Sequence, residues 1–87
     1  MATYRILLKA SVRKDLRDIA REDVVRILDR IAALAENPRP HGCEKLSAQE
    51  RYRVRQGQYR IVYAIKGDVL EVWVVRIGHR RDVYRQE

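Results

Sequence analysis

The stretch RYRVRQGQYRIVY, residues 51–63, decides the fold. It alternates with the period of two that marks a strand, so Tyr52 and Val54 face one way and Arg51, Arg53 and Arg55 the other. Gly57-Gln58 is a glycine-first two-residue loop, the chemistry of a type II′ hairpin turn. Counting outward from that turn pairs Gln56 with Tyr59, Arg55 with Arg60 and Arg53 with Val62. Arg53, Arg55 and Arg60 then share one face of the hairpin; Tyr52, Val54, Ile61 and Tyr63 share the other. A slip of one residue would carry Arg60 to the apolar face. An unpaired guanidinium is very costly there, so burial itself argues for this register.

The neighbouring segments fit around that hairpin. Gly67-Asp68 predicts a second turn of the same kind into VLEVWVVRI, residues 69–77. Upstream, TYRILLK, residues 3–9, reads as a first strand. Ser11 is placed to cap a short helix, SVRKDLRDIA, with Val12, Leu16 and Ile19 on one face. A second helix is expected over about 22–36, where Val24, Ile27, Leu28, Ile31, Leu34 and Ala35 form one stripe. Glu22 and Asp23 suit its N-terminus, and Asn37-Pro38 ends it. The order is strand, two-helix hairpin, then a three-stranded antiparallel meander. This is an α+β fold in a single domain, 1–87, with the helices on one face of the sheet and an open arginine face on the other.

The chain has 87 residues, 46% of them hydrophobic, enough for one thin core. No apolar run is long enough to cross a bilayer. The start, MATYRILLKASVRKD, lacks the pattern of a signal peptide, and the lone Cys43 suits a reducing compartment, so a cytoplasmic location is expected. The net charge is +7, and arginine outnumbers lysine fifteen to four. From Arg51 onward there are nine basic residues against four acids, so the excess is concentrated in the second half. A planar, permanently charged fork suits phosphate and stacks on bases. Such a balance points to a polyanionic partner, most often nucleic acid.

The segment IGHRRDVYRQE, residues 77–87, follows the last long strand. Gly78 lets the chain turn, which allows Arg80 and Tyr84 to reach the arginine face. RNA cleavage by the 2′-hydroxyl needs a base, help for the departing 5′ oxygen, and positive charge on the phosphorane. Convergent arginines supply the last, where one preorganised donor is typically worth about 3–4 kcal/mol. A tyrosine among cations has its phenolate favoured and can act as the base. No cofactor is called for. The sequence has no compact metal-ligand cluster of zinc spacing, no P-loop and no dinucleotide glycine pattern.

LxxNPRP, then RYRVRxGxYRIVYxI, then VVRIGHRRDVYR resemble the RelE family of bacterial and archaeal toxins of toxin–antitoxin systems, over nearly the whole chain. The wider superfamily includes the ParE toxins, which act on DNA gyrase. The resemblance implies a compact microbial-ribonuclease-like fold and cleavage of messenger RNA in the ribosomal A site. It also implies a cognate antitoxin that blocks the active face, and operator DNA bound only through the antitoxin complex. Carried over by position, it assigns catalysis to Arg60, Arg80 and Tyr84, and RNA contact to Arg53, Arg55, His79 and Arg81. The second-strand pair, commonly lysine in the family, is arginine here. The alternative is a ParE-like gyrase inhibitor that cuts no RNA.

Blander readings stand beside these. The arginine face can be a solvated sheet surface, Tyr84 a packing residue and His79 a turn residue. His41 and His79 can be set against each other as a two-histidine nuclease, though nothing in the spacing requires it. Arg76 alternates towards the helices and reads as a structural ion-pair partner. Arg13, Arg17, Arg21, Arg26 and Arg30 read as a solvated helix face with some i,i+4 pairs.

Overall fold

A computed structural model describes residues 3–46 and 50–79. Its elements are β1 (Arg5–Leu8), α1 (Ala10–Arg17), α2 (Arg21–Ala33), β2 (Glu44–Lys45), β3 (Arg51–Gln56), β4 (Tyr59–Lys66) and β5 (Glu71–His79). The five strands form one sheet in the order β1-β5-β4-β3-β2. The meander β3-β4-β5 is antiparallel, and β1 lies parallel to β5. The two helices cover one face, α1 against β5 and α2 against β3. No described helix is long and apolar enough to cross a membrane.

The core lies between helices and sheet. Val12, Ile27, Ile31 and Leu34 meet Tyr52, Val54, Ile61, Tyr63, Ile65, Val72, Val74 and Ile77, all buried. These are the apolar positions of the two periodicities, apart from Ile77, and one expected position is missing. Leu28 is on the expected α2 stripe yet is exposed, as is Val25. Tyr52 and Tyr63 stand opposite each other and their rings stack at 5.9 Å.

Local chemistry explains where elements start and stop. Gly57 takes φ +60 while Gln58 keeps a negative φ, as a type II′ turn requires. The second turn departs from expectation. Lys66 pairs with Glu71, so the loop holds four residues, Gly67 to Leu70. Val69 N donates to Lys66 O at 3.3 Å, and Leu70 completes the loop at φ 53. The strand therefore starts two residues late, which leaves every face unchanged because two is the strand period. Ser11 does not cap α1; Lys9 is its N-cap and makes no side-chain bond. α2 ends at Ala33 rather than 36. Leu34, Ala35 and Glu36 donate three residues back in a tightened last turn ahead of Pro38.

Candidate functional site

The β3–β4 hairpin has the register counted from its turn: Gln56 opposite Tyr59, Arg55 opposite Arg60, Arg53 opposite Val62. Arg53, Arg55 and Arg60 are thereby gathered on the face away from the helices. Strand β5 continues the rows. Arg60 pairs with Gly78, which brings no side chain to its row, and Val62 pairs with Arg76. The middle row therefore reads Arg53, Val62, Arg76 across three strands.

Arg76 corrects the sequence reading. Regular alternation would set it beside Val72 and Val74 in the core. Instead the β4–β5 register shifts between Val62 and Tyr63, leaving Val75 as an extra residue. The bulge advances the phase by one. Arg76 moves to the arginine face and Ile77, 2% exposed, takes the core position. The expected ion pair of Arg76 is not among those of the described residues.

The face is also less open than expected. Arg53 is 7% exposed and Arg60 5%, whereas Arg51 and Arg55 are exposed. Val62 is 2% exposed and lies outside the main core cluster. The methylene stems of arginine are able to cover apolar surface of this kind. Nor is the face without internal counter-charge. Glu44 stands opposite Arg53 on the two-residue strand β2, and its Oε2 accepts from Arg53 Nη2 at 3.2 Å. The sequence reading left residues 44–45 in a loop and so missed this carboxylate.

A polar latch holds β2 in place. Tyr52 Oη donates to Glu50 Oε2 at 2.6 Å and accepts from Arg39 Nε at 3.0 Å. Arg39 Nη2 also reaches Glu50 Oε2 at 3.1 Å, and its guanidinium lies 5.2 Å from the Tyr52 ring centroid. The Tyr52 hydroxyl, and then Arg39, hold the Glu50 carboxyl below the usual carboxylate range. Below the sheet, Tyr63 Oη donates to the Pro38 carbonyl at 2.6 Å. Burial, with Cys43 beside it, pushes the Tyr63 hydroxyl above its ordinary pKa. The loop from Asn37 to Leu46 is thus tied to β3 and β4 from both ends, which fixes Glu44 at Arg53.

His79 is placed differently from the arginines. It pairs with Tyr59, on the helix side of the sheet, with the rings edge to face at 6.0 Å. Both line a hollow with Asp15, Asp18, Ile19, Arg76, Ile77 and Gly78. Asp15 Oδ2 accepts from Ile77 N at 3.0 Å, so it caps the part of β5 that extends past β1. His41 is exposed in the loop before β2. Arg80, Arg81 and Tyr84 lie outside the described residues.

The fold has clear relatives. A family model described as the ParE toxin of a type II toxin–antitoxin system, parDE, matches residues 6–84. Among solved structures, the RelBE2 toxin–antitoxin complex of Mycobacterium tuberculosis aligns with a TM-score of 0.79 at 21% identity, over 90% of this chain and 99% of that one. The isolated RelE toxin of E. coli aligns with a TM-score of 0.78 at 20% identity, over 95% and 93%. The RelB–RelE antitoxin–toxin complex of Methanococcus jannaschii aligns at 0.72 and 25% identity, over 91% and 95%. No curated protein matches the sequence.

Proposed function

The chain belongs to the ParE toxin family of type II toxin–antitoxin systems, and from that premise we propose that it is a ribosome-dependent endoribonuclease that cuts messenger RNA in the A site and so inhibits translation. The observation that carries this reading is the arginine face: two nearly buried guanidiniums, Arg53 and Arg60, beside the exposed Arg55. Buried, oriented cations stabilise developing charge more strongly than cations in water.

In this scheme the 2′ oxygen attacks the adjacent phosphorus and the 5′ oxygen leaves, giving a 2′,3′-cyclic phosphate and a 5′-hydroxyl. Tyr84, as its phenolate, takes the 2′ proton, Arg60 bears the charge of the phosphorane, and Arg80 that of the leaving oxygen, which then takes a proton from water. Arg53 and Arg55 grip the message, and His79 and Arg81 are assigned further RNA contact by the resemblance alone. The face is a sheet surface rather than a deep pocket, so the ribosome supplies the in-line orientation. A cognate antitoxin covers the face until it is released. The similar M. tuberculosis and M. jannaschii proteins form toxin–antitoxin complexes.

The test is cleavage of a short message on purified, programmed ribosomes by wild type, Arg60→Ala, Arg80→Ala and Tyr84→Phe. Cutting in the A site with cyclic-phosphate ends, lost in the arginine variants, supports the proposal. The matching family description, ParE, favours one second reading, inhibition of DNA gyrase. Failure of folded, antitoxin-free protein to cut, together with inhibition of supercoiling, would establish it instead.

A further inference from the structure

We propose that Arg76 is an additional phosphate contact of the arginine face, carried there by the β-bulge at Val75; this rests on the RNA reading above. The register sets Arg76 directly across from Val62, on whose other side stands Arg53. Two strand spacings, about 9.5 Å, separate the two arginine backbones, and Arg60 lies in the next row. An RNA backbone crossing β3, β4 and β5 meets Arg53 and Arg76 as the two ends of one row.

The state of the Arg76 side chain supports a ligand rather than a structural role. Its Nε is shielded from solvent and, among the described residues, has no hydrogen-bond partner. Among the described residues no ion pair includes it. Asp15 and Asp18 line the hollow that Arg76 borders, yet neither is ion-paired with it among the described residues, and Asp15 Oδ2 is engaged by the Ile77 backbone. A guanidinium kept for packing ordinarily satisfies such a donor with a carboxylate or carbonyl. A donor held ready beside other cations is suited to an anion that arrives. Bulges commonly re-aim a side chain next to an active site, and this one turns a would-be core residue into a member of the face.

The test is binding of a labelled single-stranded 2′-O-methyl RNA ten-mer, which lacks the nucleophile, across about 20–200 mM salt. Arg55→Gln reports on the face itself, and Arg76→Gln and Arg76→Lys on the proposal. Arg76→Gln is expected to weaken binding about 3–10-fold and to lower the slope of log affinity against log salt by about 0.7, one phosphate's share. Arg76→Lys keeps the slope, and the melting temperature of Arg76→Gln stays level or rises. If Arg55→Gln weakens binding and Arg76→Gln does not, Arg76 faces no phosphate and the proposal is overturned while the RNA reading stands. A variant that fails to fold, or melts lower with an unchanged slope, assigns Arg76 to structure and overturns it too. Wild type that binds no RNA removes both together.

Discussion

Glu44→Gln separates two roles for the carboxylate at Arg53. The pair is 3.2 Å long, with Arg53 8% and Glu44 63% exposed at the side chain. At that distance bare Coulomb attraction is about 5 kcal/mol for an effective dielectric near 20. The exposed partner is screened by water, which brings such pairs towards 1 kcal/mol, and glutamine retains an acceptor. A loss of about 1 kcal/mol in stability remains. With an unfolding entropy near 2.1 cal/mol/K per residue, the 87-residue chain should melt about 5 °C lower. If a phosphate must displace Glu44 to reach Arg53, the same change tightens RNA binding by about 1 kcal/mol, roughly fivefold. The two readouts move in opposite directions. Thermal melts and ten-mer binding at fixed salt measure them, with Glu36→Gln, exposed after α2, as the control for net charge. Weaker RNA binding in step with the lower melting point would refute the reasoning and make Glu44 a support for Arg53.

Three further outcomes are expected. Tyr63→Phe loses the buried bond to Pro38, about 1–2 kcal/mol, and melts about 5–10 °C lower. The folded-state pKa of Tyr63 is raised, so its contribution is whole below the unfolded value near pH 10 and is lost as pH rises from there through the folded value; the variant should lack that alkaline decline in urea midpoints. Glu50 has a lowered pKa, so its contribution is present above the unfolded value near pH 4.3 and is lost as pH falls through the folded value. Acid unfolding monitored by circular dichroism should shift in Glu50→Gln and not in Glu36→Gln. Deleting Val75 removes the extra residue of the bulge yet keeps Val74 and Ile77 inward and Arg76 outward. It should fold with a loss of about 1–2 kcal/mol, whereas an unfolded product would show that the bend itself is required.

The hairpin was legible because three independent signals agree on it: a glycine-first turn, strict alternation, and the cost of setting Arg60 among the apolar side chains that face the helices. The bulge was not, because Val72 to Val75 is an unbroken apolar run with no period to slip against. The available cue was Arg76 followed by Ile77, a charge at a core phase beside an apolar residue at a surface phase. Strand β2 was illegible for another reason. Two residues carry no periodicity, and Glu44 and Lys45 pair with β3 only because Arg39, Glu50 and Tyr52 hold the loop in place. Counter-charge supplied through such long-range contacts leaves no trace in local sequence.

The parallel pairing of β1 with β5 has a consequence for how the protein is born. Arg5 lies beside Glu71, 66 positions later, and β1 has no other strand neighbour. During synthesis the first strand waits for the last of the described strands before it can join the sheet. α1, which packs on β5, waits with it. Such non-local closure slows folding. The arginines stand on β3, β4 and β5, so this late step completes the sheet edge and its helix cover rather than the arginine row itself.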